Sequence, residues 1–113
     1  MTTARQSAFQ ILVQFEQHKT RLDILFQQLN LEGREQRLAR NLVSGCVRHL
    51  LYLDWIAAYL YRGNYKKALN KSKVLLRLAL YEIIYMDSIP ERASVNEYVN
   101  LAKKNWVIKP ASR

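Results

Sequence analysis

The stretch from Lys73 to Lys103, KVLLRLALYEIIYMDSIPERASVNEYVNLAK, decides the fold. Between Val74 and Met86 apolar side chains fall on every side of a helix, and Arg77 and Glu82 are the charges that interrupt them. A helix that is apolar all round needs cover on every face, so this one is expected at the centre of a helical bundle. Pro90 has no N–H to donate and disfavours helical geometry at Ile89, which ends the helix within Asp87-Ser88-Ile89. Glu91 to Lys104 then reads as a covering helix, with Pro90 at or near its first position.

Working outward, Thr2 or Thr3 can cap a first helix, because a hydroxyl there accepts a free backbone N–H of the first turn. Ala4, Ala8, Ile11, Leu12 and Phe15 recur at three and four residues and form its apolar stripe, with an end expected near His18. Leu22, Leu25, Phe26 and Leu29 repeat the pattern until Asn30 to Gly33 interrupts it. From Arg34 to Tyr61 a long apolar series runs through Leu38, Leu42, Gly45 or Cys46, His49, Leu53, Ile56 and Leu60. A helix that long in a small domain is expected to bend or break near Gly45. Arg62-Gly63-Asn64 ends it, and Tyr65 to Lys73 leads into the central helix. The expected fold class is all-α: a compact bundle of about six helices without strands.

At 113 residues, 1–113 reads as a single domain with one core. Eighteen Lys and Arg against nine Asp and Glu give a net charge of +9, enough to attract an acidic polymer. That charge is uneven: residues 1–61 hold seven basic and five acidic groups, residues 62–113 eleven and four. The lone Cys46 excludes an internal disulfide and suits a reducing compartment. The start, MTTARQSAFQ, has no apolar signal core. The longest apolar run, Leu50 to Tyr61, contains Asp54 and is too short to cross a bilayer. The expectation is a cytoplasmic protein with no membrane partner.

No catalytic constellation stands out. Cys46 reads as a small core residue; His18 and His49 lack ligand spacing with it or with a carboxylate pair, and no phosphate loop is present. The chain is not expected to be an enzyme or to hold a metal or cofactor. Arg77 and Glu82 read as buried polar ties between helices, since a buried charge is costly unless paired. Lys66, Lys67, Lys71 and Lys73, close to Tyr61 and Tyr65, can neutralise phosphates, and rings beside them can stack on unpaired bases. A solvated lysine-rich loop is the competing reading. Arg5, Arg37, Arg40 and Arg48 form a second basic group. Tyr52, Trp55, Tyr59 and Tyr81 lie in apolar helices and read as packing.

Leu76-Arg77-Leu78-Ala79-Leu80-Tyr81-Glu82, then Ile89-Pro90, Val95-Asn96-Glu97 and Leu101-Ala102-Lys103 resemble the signature of the NusB family. Ala4-Arg5, Ala8 and Leu12 look like its first helix, Gly45 and Leu53-Asp54 like its middle one. The resemblance implies an all-helical RNA-binding fold. One branch of that family comprises free-standing transcription antitermination factors that bind single-stranded RNA together with NusE. The other comprises N-terminal domains of ribosomal RNA cytosine-5 methyltransferases of the Sun (RsmB, Fmu) type. Gly45-Cys46-Val47-Arg48 before Leu53-Asp54 looks closer to the methyltransferase branch, and Lys71-Ser72-Lys73 stands where the other branch often has an acidic residue facing NusE. The family's last helix would follow about where Lys109 to Arg113 stands, so the chain reads as an N-terminal fragment of a longer protein.

The expected function is therefore an RNA-binding accessory domain of a ribosomal RNA methyltransferase. S-adenosylmethionine would belong to a missing catalytic domain, itself an expected partner, while NusE is not an expected one. The resemblance carries Arg5 and, more weakly, Gln10 over as RNA contacts; the charge argument adds Arg48, Lys66, Lys67, Lys71 and Lys73. The alternatives are an antitermination factor, or a protein-interaction module using apolar surface at the C-terminus.

Overall fold

The computed structural model describes residues 3–86 and 96–102. In chain order these form α1 (Ala4–His18), α2 (Leu22–Gln27), α3 (Gly33–Arg48), α4 (Leu50–Leu60), a 3-10 turn (Tyr65–Lys67) and α5 (Asn70–Tyr85). A further helix, α6, covers residues 96–102. There is no strand among the described residues, and none of their helices is long and apolar enough to cross a membrane. The turn expected at Pro90 and the start of the helix expected from Glu91 lie outside the described residues, as do Thr2 and everything after Ala102.

Each helix is held at its ends by local chemistry. Thr3 caps α1, its hydroxyl accepting the Gln6 N–H at 3.1 Å. The Ala4 N–H finds a carboxylate oxygen of Glu35, on α3, at 3.1 Å. Two of the orphan donors of α1 are thus satisfied, one locally and one by another helix. Lys19 closes α1 in left-handed geometry (φ 55°), its N–H returning to the Phe15 carbonyl. Gly63, at φ 104°, turns the chain after α4 where a side chain would be strained.

The core gathers on α5, which packs against α1, α3 and α4. Val74 and Leu78 of α5 meet Phe9 of α1, Leu42, Val43 and Cys46 of α3, and Leu53 and Ala57 of α4 in one buried cluster. Each large member contributes roughly 1.5–3 kcal/mol by leaving water. The central position expected for residues 74–86 is observed, but cover is not complete: Ile83 and Tyr85 near the end of α5 are 37 and 38% exposed.

The long series from Arg34 to Tyr61 does break near Gly45, four residues beyond it. The helix runs through Gly45 and is interrupted at His49 (φ −108°, ψ 25°). Gly45 is a place of close approach: a Cβ built there would overlap the Tyr81 ring of α5. The break is where α3 and α4 settle on α5, the His49 ring stacking on Tyr85 with centroids 4.3 Å apart. Two further boundaries differ. Helix α2 stops at Gln27, two residues before Leu29, and α5 begins at Asn70, so Lys71 and Lys73 belong to its first turn. Gly45→Ala should lower stability by about 1–3 kcal/mol, because the Tyr81 ring must move within a packed core. A urea titration followed by circular dichroism checks this.

Candidate nucleic-acid interface

The charges expected to lie inside the bundle separate from those left for a ligand. Glu82 is fully buried on α5 and takes a two-pronged bond from Arg5 of α1, Nε to Oε2 at 2.8 Å and Nη2 to Oε1 at 2.9 Å. The Tyr98 hydroxyl of α6 donates to the same carboxylate. Burial and the nearby Glu82 carboxylate push the Tyr98 phenol far above its ordinary value. Arg77 is buried five residues earlier, with Nε donating to Asp54 Oδ1 at 2.7 Å and Nη2 to Oδ2 at 3.1 Å. Its Nη1 lies 3.4 Å from Glu16 of α1. The Tyr65 hydroxyl donates to Asp54 at 2.7 Å, and burial together with that bond pushes its phenol up.

These pairs place Arg5 differently from the expectation carried by the resemblance. Its guanidinium is largely buried and faces Glu82, with Cζ 6.0 Å from the centre of the Tyr98 ring. It acts as the counter-charge of a buried carboxylate. Gln10 is exposed on α1 and lines an open polar cleft of about 700 Å³ with Thr3, Ser7 and Gln28, and with the carboxylates of Glu32 and Glu35. Two acids beside it make that cleft a poor seat for a phosphate.

The cations from Arg48 to Lys73 are arranged otherwise. Arg48, Arg62, Lys66 and Lys67 are exposed, and Lys71 and Lys73 half-buried. Asn64 caps the 3-10 turn, its side chain accepting the Lys66 N–H at 3.1 Å. Lys73 reaches back over that turn, donating to the Lys66 carbonyl at 2.9 Å with its ammonium 5.5 Å from the Tyr65 ring centre. Between residues 48 and 73 the single acid is Asp54, and Arg77 and Tyr65 already engage it. Lys71 and Lys73 sit in the first turn of α5 with no acid there, although a helix start favours negative charge. Their placement opposes local stability and suits an anionic ligand. Of the second basic group, Arg40 lies over the Phe26 ring at 4.6 Å and Arg37 is exposed.

The aromatic residues expected to serve as packing divide. Tyr81 is buried, its hydroxyl donating to Asn41 at 2.9 Å. On α4, however, Tyr52, Trp55 and Tyr59 are 49, 72 and 86% exposed, and Leu51 is 85% exposed. Helix α4 offers the core a narrow stripe, Leu53 and Ala57 with Ile56 partly buried beside them, while Leu51, Tyr52, Trp55, Tyr59 and Leu60 face outward. Sequence reasoning missed this because apolar residues all round α4 look like those all round α5. The overlooked signal was Asp54, the sole charge in the run Leu50 to Tyr61, which marks the inner face.

Cys46 is buried, and desolvation pushes its thiol up to about 12, with Arg77 acting in the opposite direction. Among the described residues no group of three His, Cys, Asp or Glu could hold a metal ion.

The model of the NusB family matches residues 2–112. A transcription antitermination protein NusB of Oceanobacillus iheyensis is 33% identical over 100 residues, covering 88% of this chain and 79% of that protein. Proteins of the same name from Halalkalibacterium halodurans and Bacillus subtilis are 35% identical over 102 residues and 31% identical over 103 residues. They cover 88% and 90% of this chain, and 76% and 79% of their own lengths. These names belong to the antitermination branch and not to the methyltransferase branch expected from Gly45-Cys46-Val47-Arg48.

Two expectations follow from the geometry. Glu82→Ala leaves Arg5 inside without its carboxylate and should cost about 3–5 kcal/mol in a urea titration, with Glu82→Gln costing less. The Cys46 thiol should react with a disulfide reagent at pH 8 far more slowly in the folded protein than in denaturant. A folded pKa raised above the unfolded one means that its contribution to stability is lost as pH climbs from about 9 towards about 12.

Proposed function

This chain belongs to the NusB family, and from that membership we propose that it binds single-stranded RNA as a factor of the antitermination type. The observation that carries the proposal is the run of six cations from Arg48 to Lys73, four of them exposed, against one carboxylate already engaged from within. Phosphates would meet Arg48, Lys66 and Lys67 first, with Arg62 between them in sequence and Lys71 at the start of α5. Contacts of this kind give affinity and position more than sequence preference.

The accessory-domain reading has less support, because the relatives bear the antitermination name. In that branch of the family NusE is the protein partner. Lys71-Ser72-Lys73 in the first turn of α5 alters the charge expected of a NusE-facing surface, so RNA recognition in this proposal does not depend on NusE.

Labelled single-stranded fragments of ribosomal RNA, titrated at about 50 and about 200 mM salt, test the reading. Affinity should fall as salt rises, and the double variant Lys66→Ala, Lys67→Ala should bind more weakly with a salt slope reduced by about one to two. Absence of binding at the lower salt would sink the proposal. A pull-down with NusE addresses the branch: a complex is expected for an antitermination factor, and none for a methyltransferase accessory domain.

A further inference from the structure

The outer face of α4 has no part in the core or in the buried ion pairs. Leu51, Trp55 and Tyr59 follow one another at four-residue steps and Tyr52 sits beside them, so the four share one face of the helix. Three of the four are rings. Isolated apolar residues on a surface are ordinary, but an exposed aromatic row on one helix marks a contact site.

Charge selects the ligand. The face carries no carboxylate of its own, since Asp54 is held by Arg77 and Tyr65 on the inner side. Exposed Arg48 stands just before α4 in the chain, and exposed Arg62, Lys66 and Lys67 follow it. The Tyr52 and Trp55 rings lie within 21° of parallel with centroids 6.4 Å apart, so they present flat faces in nearly one orientation. Near-parallel exposed rings on a helix that exposed cations precede and follow in the chain provide both elements that an unpaired nucleic acid strand needs, π-surfaces for bases and positive charge for phosphates. An apolar protein partner would be served by the aliphatic Leu51 and Leu60, but it gives no reason for the exposed cations that precede and follow α4 in the chain.

We infer that α4 is a stacking platform on which Trp55, Tyr52 and Tyr59 receive successive unpaired bases of RNA. The inference rests on the RNA-binding proposal and sharpens it. The lysines after α4 would hold the backbone, while the rings would read whether the bases are free. A paired duplex keeps its base faces stacked internally and offers them nothing, so the platform makes the protein selective for single strands.

The experiment uses the full chain carrying Trp106→Phe, which leaves Trp55 as the only tryptophan. A single-stranded oligoribonucleotide of about a dozen residues is titrated in, with the same strand annealed to its complement as the comparison. Trp55 fluorescence should be quenched by the single strand and far less by the duplex. In the parent chain, Trp55→Ala should weaken single-strand binding about tenfold, and Tyr59→Ala severalfold, as one lost base stack each. Both side chains are largely exposed, so an unchanged thermal midpoint should accompany the loss. Binding that is intact in Trp55→Ala and leaves Trp55 unquenched would overturn the platform while leaving the RNA proposal standing. No RNA binding by the parent chain would remove both. Quenching by an acidic amphipathic peptide but not by RNA would make the face a protein-docking surface, and a dimer abolished by Trp55→Ala would make it a contact between copies; either overturns the inference.

Discussion

The packing of this bundle turns on two buried charges of its central helix, α5. Glu82 and Arg77 lie inside, where an unpaired ion would cost several kcal/mol, so the fold must bring partners to both. Glu82 draws in Arg5 from α1 and Tyr98 from α6. Arg77 draws in Asp54 from α4 and Glu16 from α1, with Tyr65 closing the group from the 3-10 turn. Apolar packing alone would let α5 rotate or slide at modest cost, because its surface is apolar on most sides. The two ion pairs admit one rotation and one register.

That constraint also prepares the outer surface. Asp54 fastens one side of α4 inward, so the opposite side, with Trp55 and Tyr59, is held outward. Tyr65 anchors the turn after α4, which leaves Lys66 and Lys67 exposed in a stretch without a carboxylate from 55 to 81. The lysines at the start of α5 oppose its dipole, and Lys73 is steadied by the Lys66 carbonyl and the Tyr65 ring. Residues that satisfy the buried charges, Asp54 and Tyr65, thus also hold the segments that carry the exposed rings and lysines.

The residues that resemble the NusB family read differently in this light. Arg77, Glu82 and Asp54 are members of the buried network, and Gly45 makes room for the Tyr81 ring. What the motif encodes is the packing of α5, which explains why it identifies a fold so well. It says less about the ligand. Arg5 shows the difference: it stands at a position suited to RNA by resemblance, and the bundle directs it to Glu82.

Most of the helices, the central place of residues 74–86 and the excess of positive charge after Arg48 are legible in the sequence alone. Periodicity, end-capping and net charge are local or additive properties, legible one residue at a time. Tertiary structure decided which charges are available, where the helix after Gly33 breaks and which side of α4 meets water. Those depend on pairings across 23 and 77 residues of chain, as in Arg77 with Asp54 and Arg5 with Glu82. An arginine reads the same in sequence whether its partner is a phosphate outside or a carboxylate within. Only the folded packing, through the cost of burying a charge alone, tells the two apart.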